Sequence, residues 1–276
     1  LTKAAHVLGN SQPNITRAMN CLESEIRCTL FIRTNRGVRL TPEGERLYTR
    51  VSAAMAQLQL AEEELTDSTG LEHGSISIGA SETALSIYLL ERLKHFHMTY
   101  PNIRLKIYNH STPQAVHSVK NGEIDFAIVT TPTTAKPPLK EIRLESFREV
   151  LVGGKTFTAL SSQTLTLAEL KNYPFICLGR ETMTFAFYHQ LFLSHGLELE
   201  PDTEAATTDQ VLPLVKSDLG LAFIPESMAI PAIQNHEVIP IHLQETIPCR
   251  YVCMVSDIKR PLNSAARKLK DLILHS

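Results

Sequence analysis

Ala4-Ala5-His6-Val7-Leu8-Gly9-Asn10-Ser11-Gln12-Pro13-Asn14-Ile15-Thr16-Arg17-Ala18-Met19-Asn20-Cys21-Leu22-Glu23 sets out a short apolar helix, a tight turn and a second helix in order. Gly9 supplies the positive φ that a sharp inter-helix turn needs, and Asn10 or Ser11 caps the second helix by accepting from its free backbone N–H groups. Pro13 falls in the first turn, where a missing N–H is tolerated. Ile15, Ala18, Met19, Leu22 and Ile26 recur at steps of three and four, so one stripe of this helix packs inward. The opposite face carries Gln12, Asn14, Thr16, Arg17 and Asn20, with Ser11 and Pro13 at its start. Amides, hydroxyls and a guanidinium are groups that pair with base edges and phosphates in a major groove. Any surface helix is also polar outside, so the chain that follows has to decide between the two readings.

Phe31-Ile32-Arg33 and Val38-Arg39-Leu40 read as two short strands around the loop Thr34-Asn35-Arg36-Gly37, which places Gly where positive φ is wanted. Arg33, Arg36 and Arg39 gather at the rim of this wing. Residues 1–50 hold eight Lys or Arg against four Glu, a net of +4, whereas the 276-residue chain as a whole is −2. A basic end on an acidic body is expected where one part meets phosphates and the other does not. Together these features predict a winged helix-turn-helix that binds DNA over residues 1–41.

Thr41-Pro42 is a helix start, with Thr41 as cap and Pro42 at the first helical position. Beyond it Leu47, Val51, Ala54, Leu58, Ala61 and Leu65 alternate steps of four and three, a heptad seam held for nearly three repeats. The helix is expected to stop near Thr69-Gly70, giving a linker over residues 42–70 that spans roughly 39 Å. A core-facing helix within one subunit would use the same stripe, but a seam this narrow suits a partner helix better. Dimerisation through a second copy joins two reading heads by a rod and predicts a two-fold-related operator.

From His73 short apolar strands alternate with helical stretches, which predicts an α/β sheet. Ser75–Gly79, Ile103–Ile107 and Ile124–Val129 read as strands, and Leu85, Leu89, Leu93 and Phe96 as the inner face of a helix. A second lobe is suggested by Glu149–Gly153, Phe175–Leu178, Met183–His195, Asp209–Ser217 and Leu219–Ile224, with a closing helix over Leu262–Leu274. Lobe 1 is thus expected at about 73–150 and 256–276, and lobe 2 at about 151–255. In open α/β sheets ligands bind outside the carboxyl ends of strands, where helix N-termini favour anions. Ser81, Thr83, Thr130, Thr131, Thr182, Thr207 and Thr208 meet that rule, although each hydroxyl is individually also a plain helix cap. Arg180 is the nearest counter-charge, so the ligand is read only as a small polar or anionic metabolite.

Ala4-Ala5, Ser11-Gln12-Pro13, Leu22-Glu23, Leu30-Phe31, Arg33, Leu40-Thr41-Pro42 and Gly44, in this order and spacing, resemble the LysR-type transcriptional regulators. The resemblance runs over essentially the whole chain and includes Gly122-x-x-Asp125-x-Ala127-Ile128 in the body. It implies a two-lobed α/β effector domain over 73–276, resembling periplasmic solute-binding proteins, in which Ser81, Thr130 and Thr208 lie near the effector cleft. It implies a homodimer or homotetramer on double-stranded promoter DNA, with RNA polymerase as a further partner. Two departures stand out: Asn14 replaces a small residue, and Arg27 stands where the family tends to place a left-handed Gly. The family also places another helix, roughly twenty residues, ahead of Leu1. A solute-binding module sharing the fold, without DNA regulation, is the alternative reading.

Other signals are weaker. Cys21 and Cys28 are expected in the core, and Cys249 and Cys253 have no basic cluster to activate them. His95 and His97, two apart on a helix, point to different sides and make a poor metal pair. Ser256-Asp257-Ile258-Lys259 matches a Ser-x-x-Lys pattern with no supporting motif. No P-loop, Gly-x-Ser-x-Gly or Gly-x-Gly-x-x-Gly is present, so neither an enzyme nor a cofactor is expected. No apolar run approaches the length of a membrane span, and a bacterial cytoplasmic location is expected.

Overall fold

The computed structural model describes residues 2–34, 37–66 and 74–275. The chain forms two compact units, Leu1–Gln59 and Leu60–Ser276. In the first, α1 (Thr2–Val7) leads through a turn with Gly9 at φ +58° into α2 (Gln12–Glu25), whose cap is Ser11, accepting from the Asn14 N–H. The wing strands β1 (Phe31–Thr34) and β2 (Gly37–Leu40) pair antiparallel, Phe31 opposite Leu40. Then α3 runs Pro42–Thr66.

The spaced residues of the N-terminal motif prove to be one set of ties. Glu23 Oε1 accepts from the backbone N–H groups of Leu30 at 2.6 Å and Phe31 at 3.0 Å, fastening α2 to the wing. Thr41 donates its hydroxyl to the Thr29 carbonyl and accepts from the Gly44 N–H, so the cap of α3 also holds the strand entry. A Cβ at Gly44 would meet the Leu30 carbonyl oxygen at 2.2 Å, which is why that helix position has to lack a side chain. The inner stripe of α2 is covered less than the periodicity predicts: Ile15, Met19 and Leu22 are half-buried, while Ala18 and Ile26 are exposed.

Arg27 accepts the left-handed backbone, with φ +52°. Its N–H reaches the Ser24 carbonyl and the Cys28 N–H reaches Glu23 at 3.0 Å, the double closure that ends a helix where Gly is usual.

The second unit begins with β3 (Gly74–Ala80), then α4 (Glu82–Ala84), which passes through a π-helical turn at Leu85–Leu89 into α5 (Leu90–Thr99). Next come β4 (Ile103–Asn109), α6 (Thr112–Asn121), β5 (Phe126–Thr130), β6 (Leu139–Phe147) and β7 (Glu149–Gly153). A 3₁₀ turn at Lys155–Ser162, β8 (Thr164–Leu165) and a second 3₁₀ turn at Leu167–Asn172 precede β9 (Ile176–Leu178) and α7 (Met183–Ser194). The chain continues through β10 (Thr203–Ala205), α8 (Thr208–Lys216), β11 (Ala222–Pro225), α9 (Glu226–Gln234) and β12 (Ile239–Leu243). It finishes with β13 (Arg250–Asp257) and α10 (Ser264–His275).

Two lobes result. The first sheet has the order β4-β3-β5-β13-β6, with β3 parallel to β4 and β5 and β13 antiparallel to its neighbours. The second has the order β11-β7-β12-β8, beside the parallel pair β9-β10. Glu149 and Val150 already pair in the second sheet, and the whole of β13 lies in the first. The sheets therefore divide the chain at about 148 and 250, where the sequence pattern suggested 150 and 255. A strand buried on both faces, such as Val252–Val255, carries no sign of which sheet it joins. Ile76, Ile78, Phe96, Phe126 and Leu269 centre the first core, and Leu151, Leu170, Phe192 and Leu221 the second.

Gly122 and Asp125 show why the body motif has its residue types. Gly122 ends α6 at φ +71° with the Arg260 guanidinium lying where a Cβ would stand. Asp125 Oδ2 accepts from the Ser77 N–H at 2.7 Å, tying the entry of β5 to β3. Burial pushes the Asp125 carboxyl up, against the pull of that N–H, Lys106 and Arg260.

A left-handed non-glycine residue costs about 1 kcal/mol. Arg27→Gly is therefore expected to slow hydrogen exchange of the α2 amides by about fivefold, and Arg27→Val to speed it; equal protection in all three proteins would show that this backbone stores no strain.

Candidate nucleic-acid interface and ligand cleft

On α2, Gln12, Pro13, Asn14, Arg17 and Asn20 are exposed and Thr16 is half-buried, with Ser11 exposed at the cap. Asn14 is partly engaged, because its Nδ2 donates to Asn10 Oδ1 at 3.0 Å. Arg39 is exposed on β2. Arg33 lies within β1, but its side chain and the whole of Arg36 fall outside the described residues. Along α3, Leu47 is half-buried, Ala54 is exposed, Val51 is 49% exposed and Leu58 59%. The side chains of Ala61 and Leu65 are also outside the described residues. Tyr48 and Met55 add to this uncovered apolar surface.

In the second unit, the strand ends and helix starts of both lobes converge on a cleft of about 230 Å³. Ser81 and Thr83 reach it from the start of α4, Thr130 from the end of β5, Thr182 from the cap of α7, and Thr207 and Thr208 from the start of α8. Six of the seven hydroxyls expected from sequence thus share one space. Thr131 does not: its hydroxyl accepts from the Tyr251 N–H, and it borders a separate apolar groove with Pro132 and Phe187. Successive side chains of a strand point to opposite faces, so two consecutive hydroxyls cannot both look into the cleft.

Sequence reasoning missed the Asn109-His110-Ser111-Thr112 corner, Gln114 and Thr184, all of which line the same cleft. The rule used for the other hydroxyls applies equally here, since β4 ends at Asn109 and Ser111 caps α6 in a capping box with Gln114. Ser81 and Thr182 accept from the N–H groups of Ala84 and Phe185, whereas Thr207 makes no cap bond from its side chain. The start of α8 therefore lacks a side-chain cap, and of its first-turn N–H groups that of Gln210 donates to the Thr207 carbonyl. Thr83 and Thr208 meet across the cleft at 3.3 Å. Glu82, Glu181 and His110 are the titratable side chains on the wall; neither Lys nor Arg lines it. Arg180 turns away to Glu204 at 3.7 Å.

Beneath the cleft lies an ion pair that the sequence did not reveal. Arg250 Nη1 and Glu149 Oε1 are 2.6 Å apart, with side chains 2% and 1% exposed. Arg250 Nε donates to the Thr131 carbonyl, and Nη2 donates to the hydroxyls of Thr130 and Thr184 at 2.9 and 3.1 Å. Phe147 and Phe187 flank the guanidinium at 5.4 and 5.1 Å. Burial pushes the Glu149 carboxyl above the ordinary glutamate range, against the attraction of Arg250.

The cysteines divide differently from expectation. Among the described residues Cys21 is exposed rather than core, while Cys28 is half-buried and Cys249 exposed. Burial pushes the thiols of Cys177 and Cys253 up to about 12. Among the described residues no group of three or more His, Cys, Asp or Glu is placed to hold a metal ion. No helix among them is long and apolar enough to cross a membrane.

Residues 1–45 match the family model described as bacterial regulatory helix-turn-helix protein, lysR family, and residues 69–276 match that of the LysR substrate binding domain. The chain belongs to the LysR family of transcriptional regulators. It carries that family's DNA-binding helix-turn-helix and its effector-binding domain. Among curated LysR-type relatives, the regulator YofA of Bacillus velezensis is 26% identical over 242 residues, covering 88% of this chain and 81% of its own. TdcA of Escherichia coli K12 is 26% identical over 275 residues, covering 98% and 86%. The structure of a full-length OxyR variant from Pseudomonas aeruginosa superposes with a TM-score of 0.71 at 18% identity, covering 98% of this chain and 87% of that one. The effector-binding domain of QuiR in complex with shikimate superposes at 0.64 and 18% identity, covering 73% and 96%.

For this LysR-family regulator the buried pair makes a stability statement. Arg250→Met leaves the Glu149 carboxylate dry and unpaired and is expected to cost about 3–5 kcal/mol in urea unfolding of the effector-binding domain. Replacing both residues, Arg250→Met with Glu149→Leu, should recover most of that loss; a double variant as unstable as the single one would show that the threonine contacts, not the charge pair, hold this point together.

Proposed function

We propose that this regulator binds double-stranded promoter DNA as a homodimer that assembles further into a homotetramer, in the bacterial cytoplasm, and has no catalytic role of its own. A small polar or anionic metabolite held in the interlobe cleft shifts the balance between assemblies that space their half-sites differently, and RNA polymerase is the partner that reads the change. The observation that carries the reading is the exposed face of α2, with Gln12, Asn14, Arg17 and Asn20 presented beyond a capped turn and a basic wing strand alongside. Such side chains suit base edges and phosphates.

The dimer rests on α3. Val51, Ala54 and Leu58 leave an apolar line in water along one chain, which a second copy of the same helix covers. The ligand rests on the cleft, whose wall is hydroxyls, amides and helix starts. Backbone N–H groups at the start of α8 favour a small anion there. QuiR is solved with shikimate and the CcmR regulatory domain with 2-PG, which agrees with a small ligand in this kind of domain.

A gel shift with the DNA upstream of the protein's own gene tests the reading directly. Binding is expected at 50 mM salt and should weaken by about a hundredfold or more at 200 mM, as released counterions require, with Arg17→Ala weaker throughout. Full-length protein that ignores this DNA at low salt, with and without added metabolites, sinks the proposal. Separately, Leu58→Asp should convert the dimer to monomer in sedimentation and lower DNA affinity with it; a variant that stays dimeric would remove the seam from the account.

A further inference from the structure

We infer that Glu149 forms an acceptor subsite in the floor of the cleft, and that the ligand is a hydroxylated carboxylate whose hydroxyl donates to Glu149 Oε2. The inference rests on the reading of the cleft as the ligand site and names what that site selects.

Two observations point to it. Oε1 of Glu149 is taken by Arg250, but Oε2 is out of solvent and has no hydrogen-bond partner among the described residues. A buried acceptor left unmatched is costly, and a fold that keeps one at the base of a cleft leaves it for a guest. The second observation is the space around it. A cavity of about 20 Å³ is lined by Glu149, Arg250, Val211 and the threonines Thr83, Thr184 and Thr208, and those three threonines also line the main cleft above. A space of about one water-sized group thus lies against the same three threonines, on the side of Glu149.

The chemistry of that group follows from charge and polarity. The Arg250 guanidinium 2.6 Å away favours the charged form of Glu149 against the push of burial, and Oε2 of that carboxylate only accepts, so a carbonyl or a second carboxylate placed there meets lone pair with lone pair. An ammonium would donate, but the negative charge of Glu149 is already matched by a guanidinium 2.6 Å away. A second cation in this dry space would face Arg250 without a partner of its own. A hydroxyl donates without charge, and its oxygen accepts from the threonine hydroxyls around it. The ligand's carboxylate then has the start of α8, which Thr207 and Thr208 bring to the main cleft, as its place.

Calorimetric titration of the full-length protein with matched acids tests this: lactate, pyruvate and alanine; 3-hydroxybutyrate, acetoacetate and 3-aminobutyrate; malate, oxaloacetate and aspartate. At least one hydroxy acid is expected to bind tenfold or more tightly than its keto and amino counterparts. Glu149→Gln keeps an oxygen for Arg250 and turns the other position into a donor, so the preference should fall to about threefold or less. Val211→Ile adds one carbon to the small cavity without touching the ion pair, and it should erase the preference even if the glutamine variant fails to fold. Ser81→Trp fills the cleft itself and should abolish binding of every probe. A hydroxyl preference that survives in Val211→Ile and in a folded Glu149→Gln, with binding still lost in Ser81→Trp, overturns the role of Glu149 and leaves the cleft reading standing. Binding that survives Ser81→Trp overturns both, and a wild-type protein that takes none of the hydroxy acids overturns the ligand class.

Discussion

Arg250 and Glu149 face each other at the place where the chain passes between its two lobes, Glu149 as the first residue of β7 on the way out and Arg250 as the first of β13 on the way back. A guanidinium and a carboxylate taken out of water at such a point are tolerated only because nearly every donor has an acceptor: the Thr131 carbonyl, the Thr130 and Thr184 hydroxyls and the carboxylate itself. Thr130 belongs to the first lobe and Thr184 to the second, so one side chain is bonded to both. An apolar residue of equal volume would fill the site but would fix neither the spacing nor the orientation of the lobes. Directional bonds set both.

The same geometry explains why the cleft is built of hydroxyls. Strands of both sheets end at it, and each is followed by a helix that needs a cap, so Ser81, Ser111, Thr182 and Thr207 arrive there for local reasons. Capping and ligand binding draw on the same residue types. What separates the two uses is whether the hydroxyl is already engaged: Ser81 and Thr182 hold N–H groups of their own helices, while Thr207 does not. The wall is consequently polar and neutral to acidic, and among the described residues no Lys or Arg lines it.

Much of this was legible in the sequence because the deciding signals are local. Ser11 as cap, the turn at Gly9, the hairpin around Gly37 and the start of α3 at Pro42 each depend on residues a few positions apart, and each is present. Six of the seven hydroxyls converge because the rule that places them is topological and needs only strand ends. The corner at Asn109–Thr112 obeys that same local rule and was readable too, whereas other misses depend on distant partners. β6 is missed by the sequence pattern: only Ile142 and Leu144 alternate with charged Arg143 and Glu145, and its place is fixed by pairing with β13. Arg250 and Glu149 stand 101 positions apart, and nothing near either announces the other. Cys21 lies beside the half-buried Leu22 but is itself exposed, because periodicity marks a stripe and not its edges.

A ligand can move this protein between states only by the difference in its contacts with them, so the cleft's existing bonds set the terms. Thr83 and Thr208 already meet across the gap between lobes, and a guest that enters beside them has to replace that weak, 3.3 Å contact with better ones. Arg250 sets the opposite limit, since its bonds to Thr130 and Thr184 are shorter and buried and oppose any motion that pulls the lobes apart at the floor. The Thr83–Thr208 contact is therefore the weaker of the two links between the lobes, and the bonds of Arg250 the stronger.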